Sequence, residues 1–384
     1  MVGASESSPH LHREANIPPW WAEAADDIAR AASQPPVVFI CGPKNSGKST
    51  FSRFLLSTLL RRYKRVGYLD TDVGQPEFSP PGCLSLHMVD EIIPGLTNPR
   101  LRTPERCFFF GDISSKRDPE AYLNCTFNLY DHFIEGHYLC NEPDSPEKTT
   151  SPLIINTPGW VKGTGYDILV EMLRYMSPTL VVQIRISIEN KNLPTGMFWV
   201  NGEEKRPVDL IDISSAHQDS LNRSLLIQKD ARGMRDQRLL EYFKQCFPND
   251  MNITKNKELA YALASLPPYV IPLSKVKVMH LHCQVPRSEI WHSLNATIVG
   301  LAVSSDESMR PSIPCCVGLG IVRGIDVNKG LLYVITPVPC CSLQTVDLLL
   351  QGFIEIPTSI LQVRGCISPY MSTNVLHKIS DKDL

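Results

Sequence analysis

The sequence has no surplus of charge of either sign. Across 384 residues, 38 Lys and Arg stand against 40 Asp and Glu, a net charge of -2. That excludes a global basic field, so any grip on nucleic acid must be a local patch. There is no C-x-x-C among the 12 cysteines. Their scatter argues against a zinc ribbon or a secreted disulfide framework and fits a reducing compartment. No apolar run approaches the roughly 18 residues of a membrane span. Met1 to His10 lacks the apolar stretch of a signal peptide. No internal repeat is present. Glycine is outnumbered by proline, 22 to 31, which points to many stiff connections. Hydrophobic residues make up 43% of the chain, enough for a real core. At about 100–200 residues per domain, two or three domains are expected.

What is present is strand–helix alternation. Pro18-Pro19 open a predicted helix from Trp20 to about Ala32. Val37 to Cys41 reads as a buried strand, followed by a glycine loop and a helix from Lys48 to about Tyr63. Phe51, Phe54, Leu55, Thr58 and Leu59 share one face of that helix. Further strands are predicted at Val66–Leu69, Cys107–Phe110, Leu153–Ile155 and Thr179–Ile184, with helices at Pro119–Glu135 and Tyr166–Met176. The pattern implies parallel βαβ units and a doubly wound α/β sheet. Residues 141–152 read as a surface loop, 190–225 lack periodicity, and 231–247 and Lys257–Ser265 read as helices. After Pro267-Pro268 the texture becomes β-rich, with short runs at Val276–Cys283, Thr297–Val303, Gly318–Val322 and Leu331–Ile335 and a hairpin turn at 327–330.

Gly42-Pro43-Lys44-Asn45-Ser46-Gly47-Lys48-Ser49 fits G-x-x-x-x-G-K-[ST] without deviation, after a strand and opening a helix. Backbone N–H groups of such a loop ring a β-phosphate, with Lys48 bridging β- and γ-phosphates and Ser49 on Mg²⁺. The motif predicts nucleotide binding and is silent about what is phosphorylated. Asp70-Thr71-Asp72-Val73-Gly74-Gln75 ends the second strand, where ligands bind in open α/β sheets. One acid there can hold Mg²⁺, and the other can accept a proton from an attacking hydroxyl. Asn156-Thr157-Pro158-Gly159-Trp160 has the form of the D-x-P-G switch of GTPases with Asn in place of Asp. No N-K-x-D guanine motif occurs, so a GTPase is disfavoured. Trp160 on that loop can stack on a base or pack in the core. Arg232, Arg235 and Arg238 recur every three residues and can act as a lid over phosphate charge or form a solvated helix face. Pro43, Pro76, Pro80, Pro81 and Pro158 all fall in these loops, where fixed φ lowers the entropy lost on ordering.

These residues closely resemble the polynucleotide 5′-hydroxyl kinases of RNA processing, and most of all their nucleolar branch. The resemblance is carried by G-P-K-N-S-G-K-S-T (42–50), D-T-D-V-G-Q-P-E-F-S-P-P-G (70–82), T-P-G-W-V-K-G-T-G (157–165), the arginine helix, G-I-V-R-G-I-D (320–326) and L-L-Y-V-I-T-P (331–337). It implies a P-loop kinase domain with a mostly parallel sheet over 36–270, a β-rich C-terminal domain over 271–384, and an N-terminal segment, 1–35, with a short helix. It implies an ATP- and Mg²⁺-dependent transfer of the γ-phosphate to the 5′-hydroxyl of RNA, with DNA left open, in pre-ribosomal-RNA spacer processing beside a nucleolar endonuclease partner. Gly42 through Thr50 would bind the nucleotide, Ser49 and Asp70 the metal. Asp72 would be the general base, with Lys48 and the lid arginines Arg232, Arg235 and Arg238 catalytic. Gln75, Thr126, Asn128, Thr157, Gly159 and Trp160 would hold the acceptor strand. Thr126-Phe127-Asn128 is a three-letter match only. The family lid is often R-x-x-x-R, and here Ala231 stands four before Arg235. The family also carries a β-rich domain ahead of the P-loop, whereas about 36 residues precede it here, so the chain reads as a short or truncated form. Three alternatives stay open: a small-molecule kinase of the same fold, an ATP-binding but silent scaffold, and a scaffold acting through its C-terminal domain.

Overall fold

The computed structural model describes residues 17–30, 34–92, 100–139, 150–200, 208–216, 230–248, 250–304 and 313–361. Helix α1 (Pro19–Arg30) precedes β1 (Val37–Cys41), and α2 (Lys48–Leu59) follows it. Then come β2 (Val66–Asp70), β3 (Cys83–Val89), β4 (Arg106–Phe109), α3 (Pro119–Phe133), β5 (Leu153–Asn156), α4 (Thr164–Met176), β6 (Leu180–Arg185) and β7 (Asp209–Ser214). The seven strands form one sheet in the order β4-β3-β2-β5-β1-β6-β7. β2, β5, β1, β6 and β7 run parallel, while β3 and β4 are antiparallel additions at one edge.

Both faces of the sheet are covered, which is why β1 reads as an unbroken apolar run. Val37, Phe39 and Cys41 join a core with Leu129 and Phe133 of α3 and Leu169 and Leu173 of α4. Val38 and Ile40 point the other way, into a core with Trp21 and Ile28 of α1 and Phe51 and Leu55 of α2. α3 passes into a π turn at Ile134–Tyr138.

Two strands of this sheet carry weak sequence signals. In β3, Ser85 and His87 are buried, with the Ser85 hydroxyl and His87 Nε2 hydrogen-bonded to one another and to Ser79, so polar residues sit inside where an apolar run would mark a strand. β7 lies at the sheet edge, and Asp209, Asp212 and Ser214 face outward within the stretch that lacked periodicity. Most of the expected loop 141–152 lies outside the described residues.

Helices α5 (Ala231–Lys244) and α6 (Asn256–Ser265) lead into a second, six-stranded sheet ordered β8-β12-β11-β10-β13-β9. Its strands are β8 (Tyr269–Pro272), β9 (Lys277–His280), β10 (Ile298–Val303), β11 (Cys315–Asp326), β12 (Leu331–Ile335) and β13 (Leu348–Gln351). The expected hairpin at 327–330 joins β11 to β12, with Gly330 at φ 65°. β8 and β13 lie outside the runs expected from the sequence.

The two sheets share a core. Cys83, Cys107 and Phe109 of the first pack with Leu239 and Phe243 of α5 and with Leu319, Ile321 and Leu350 of the second. Gly300 makes this approach possible, since a Cβ there would lie 2.7 Å from the Phe109 ring. The Tyr242 hydroxyl takes a hydrogen bond from the Leu319 N–H at 2.7 Å, fixing α5 to β11. No helix among the described residues is long and apolar enough to cross a membrane.

Candidate active site

The P-loop leaves β1 and wraps the start of α2. Gly42 has φ 142°, and a Cβ there would collide with the Ile184 carbonyl of β6. Gly47 has φ 99°, and a Cβ there would meet the Trp21 indole of α1 at 2.7 Å. Between them, Pro43 and Ser46 are buried, whereas Lys44 and Asn45 are exposed. The Ser46 hydroxyl is wholly buried without a partner among the described residues. An orphan donor in a glycine cradle is what a bound phosphate would satisfy. Lys48 is 7% exposed, and its Nζ donates to the Gly42 carbonyl at 3.0 Å and the Pro43 carbonyl at 2.7 Å. Burial lowers its pKa to about 8, opposed by the charges of Asp72 and Cys41.

Asp70 ends β2 in register with Asn156 of β5, which is itself in register with Ile40 of β1. It is fully buried. Its Oδ1 accepts from Asn156 Nδ2 at 3.1 Å and the Asp72 N–H at 3.3 Å, and its Oδ2 accepts from the Glu77 N–H at 2.5 Å. Burial, reinforced by the charges of Glu77 and Asp72, pushes its pKa up to about 7 against these hydrogen bonds. Asp72 is half-buried. Its Oδ1 accepts the N–H groups of Gly74 and Gln75, both at 3.0 Å, while Oδ2 accepts nothing from the described residues. One oxygen is thus spent on holding the loop and the other is left for a proton.

Glu77 and Arg53 belong to the site although single motifs did not reveal them. The Glu77 carboxylate meets Arg53 of α2 at 2.8 Å, with both side chains about nine-tenths buried. Burial raises the Glu77 pKa, while Arg53, Arg238 and the nearby Ser49 hydroxyl pull it back. The Glu77 carbonyl accepts Arg238 Nη2 at 2.6 Å. Residue 77 therefore ties the buried acid of β2, the first turn of α2 and the arginine helix together. Ser49 and Thr50 are half-buried in that first turn, and the Thr50 hydroxyl accepts from Arg53 at 3.4 Å. Asn156, noted as a departure from the GTPase pattern, accepts from Ser52 at 3.4 Å while donating to Asp70.

The remaining expected residues are spread more widely. Thr157 is buried and gives its hydroxyl to the Ile40 carbonyl at 2.8 Å. Gly159 lies against the P-loop, where a Cβ would come within 2.5 Å of Lys44 N and Cα. Trp160 is half-buried, its ring edge-on to Tyr122 at 5.4 Å and its base against Gly165. Tyr122 in turn hydrogen-bonds the Thr71 carbonyl at 2.7 Å. Gln75 is half-buried beside Asp72. Thr126 is fully buried inside α3, its hydroxyl on the Tyr122 carbonyl, and Asn128, two residues on, is half-buried. Of the three arginines, Arg238 reaches the Glu77 loop. Arg235 is half-buried without a hydrogen bond to the described residues. Arg232 turns outward to Glu355 at 3.3 Å.

Residues 42–245 match the family model described as mRNA cleavage and polyadenylation factor CLP1 P-loop. Residues 264–357 match the NOL9-like, C-terminal domain. The chain is 55% identical over 362 residues to polynucleotide 5′-hydroxyl-kinase NOL9 of Arabidopsis thaliana, covering 94% of this chain and 96% of that one. The chain belongs to the polynucleotide 5′-hydroxyl-kinase family. Members of this family from Homo sapiens and Danio rerio, also named polynucleotide 5′-hydroxyl-kinase NOL9, are 31% and 32% identical over 90% and 88% of this chain. The chain spans about half the length of those two, 53% and 49%. A solved structure of a wild-type Clp1p–Pcf11p complex shares the fold, with a TM-score of 0.58 at 14% identity over 88% of this chain and 79% of that one. The residues matched by the P-loop model include every strand of the first sheet except β1, and those matched by the NOL9-like model include every strand of the second.

Proposed function

We propose that this chain transfers the γ-phosphoryl group of ATP to the 5′-hydroxyl end of RNA. The observation that carries the reading is Asp72 at the tip of β2: one carboxylate oxygen is clamped by the loop, the other is open, and Lys48 is near enough to feel its charge. The P-loop N–H groups and Lys48 hold the β- and γ-phosphates. The acceptor hydroxyl gives its proton to Asp72 as its oxygen attacks. Arg238, anchored on the Glu77 carbonyl, stands where it can be delivered to charge spreading over the transferred group, with Arg235 a turn away. Trp160, Gly159 and Thr157 shape the wall that receives the terminal nucleotide, with Gln75 and Asn128 as further contacts; Thr126, buried with its hydroxyl on the Tyr122 carbonyl, supports this wall from behind. Catalysis of this kind is mostly positioning and electrostatics.

The donor set fits a hard divalent cation. Glu77 lies beside the Ser49 hydroxyl, and burial, reinforced by the charges of Glu77 and Asp72, raises the Asp70 carboxyl to about 7. Ser49 and Asp70 would hold Mg²⁺, which supplies charge neutralisation on the phosphates. We place this activity in the nucleolus, at 5′-hydroxyl ends left by an endonuclease partner in a pre-ribosomal-RNA spacer. That extension rests on the sequence resemblance set out above.

Incubation with γ-labelled ATP, Mg²⁺ and a 5′-hydroxyl oligoribonucleotide tests the reading. Wild type labels the oligonucleotide, Lys48→Ala abolishes labelling, and Asp72→Asn lowers it by about 10²–10⁴-fold, the usual share of a general base. ATP bound without transfer would instead establish a nucleotide-binding scaffold. Labelling of mononucleosides alone would establish a small-molecule kinase.

A further inference from the structure

A row of aromatic rings leaves the active site and crosses to the second sheet. Trp160 lies 5.4 Å from Tyr122, Tyr122 5.9 Å from Phe110, Phe110 4.6 Å from His282, and His282 6.4 Å from Phe353, the last pair stacked at 19°. The interior members are buried, but the far end is open, with Phe353 46% exposed. Arg117 lies over the Phe353 ring, 4.4 Å from its centroid, and is held there by Asp112. Lys116 beside it is exposed, as is Ile113.

This end is fixed relative to Asp72 by main-chain bonds. The Gly82 N–H donates to the Val73 carbonyl at 2.8 Å, next to Asp72 in sequence. The Gly82 carbonyl accepts the N–H groups of Phe110 and Gly111 at 2.8 and 3.1 Å, and the Gly111 carbonyl accepts the Phe353 N–H at 2.6 Å. Gly111 and Gly352 pack backbone to backbone at this crossing, since a Cβ on Gly111 would come within 3.0 Å of Gly352 Cα and one on Gly352 would run into the Gly111 carbonyl. His282 is held at φ 63°, with its Nε2 on the Phe110 carbonyl at 2.6 Å. Ile113 also flanks the Asp72 loop, its carbonyl 3.0 Å from where a Gly74 Cβ would sit.

A half-exposed phenyl ring with a guanidinium lying over it, beside an exposed lysine, presents a stacking plane and positive charge together, the chemistry that receives a nucleobase and neutralises its phosphate. We propose that Phe353, Arg117 and Lys116 form a platform for a downstream base of the acceptor strand, beyond the nucleotide whose 5′-hydroxyl reacts. The second sheet thereby contributes a residue to substrate binding. The proposal rests on the polynucleotide kinase reading above and adds to it a site that recognises a strand rather than its terminal nucleotide.

The test compares two acceptors, a nucleoside 3′-monophosphate and a longer 5′-hydroxyl oligoribonucleotide, alongside fluorescence-anisotropy binding of the labelled oligonucleotide to the full chain. Phe353→Ala raises KM and Kd for the oligonucleotide about tenfold, the effect of losing one base stack. KM for ATP and for the short acceptor stays as in wild type, which also shows that the variant folds. Phe353→Trp restores the affinity. Lys116→Ala reduces the salt dependence of oligonucleotide binding by about one phosphate contact. Equal loss on both acceptors, or oligonucleotide affinity unchanged in Phe353→Ala, overturns the platform. If wild type transfers no phosphate, the kinase reading falls, while the anisotropy difference still decides the platform.

Discussion

Removing the Glu77 carboxylate strands a buried cation. Arg53 has a side chain only 10% exposed, and among the described residues its Nε has no partner and its guanidinium hydrogen-bonds, besides Glu77, the Thr50 hydroxyl at 3.4 Å. Little besides Glu77, at 2.8 Å, compensates its charge. Breaking one side of such a pair costs about 3–5 kcal/mol, because the remaining charge stays desolvated. At roughly 2–4 °C per kcal/mol, Glu77→Ala lowers the melting temperature by about 10 °C. The double variant Arg53→Met/Glu77→Leu removes both charges and keeps apolar volume, so it returns to within about 1 kcal/mol of wild type. Thermal and urea melts of the single and double variants form the assay. If Glu77→Ala melts within about 1 kcal/mol of wild type, or the double variant melts no higher than the single, the account of this pair as a desolvated charge couple is wrong.

Gly159→Ala forces a methyl group against the Lys44 backbone, which has no flexible end to move, so the P-loop shifts and KM for ATP rises about tenfold while the acceptor KM changes little, as steady-state kinetics will show. Asp70 has a folded pKa near 7, above its ordinary value of 3.8, so the native state holds the proton more tightly than the unfolded chain. In metal-free buffer its contribution to stability is complete below about pH 4 and is lost as pH rises through 7; Asp70→Asn removes that slope from urea melts taken across the interval.

The phosphate loop, the two acids of β2 and the βαβ alternation were legible because each is local. A glycine pattern, a strand end and a run of β-branched residues announce themselves within a few positions. Glu77 and Arg53 were not legible because their meaning is a contact across 24 residues, made only when the loop after β2 folds onto α2. Thr126 shows the converse difficulty. A three-letter match cannot say which way a helical hydroxyl turns, and here it bonds back onto its own helix inside the core. Strands β3 and β7 escaped for opposite reasons: buried polar side chains in one, and an acidic sheet edge in the other.

The Trp21 indole fills the space that a side chain on Gly47 would need, and its Nε1 donates to the Ser214 carbonyl of β7 at 2.8 Å. A helix that comes before the first strand is therefore the floor of the phosphate loop and its tie to the far edge of the sheet. A fragment begun at Val37, where the glycine motif alone would draw the line, would lose the floor of its phosphate loop, whereas one begun ahead of Pro19 would keep it.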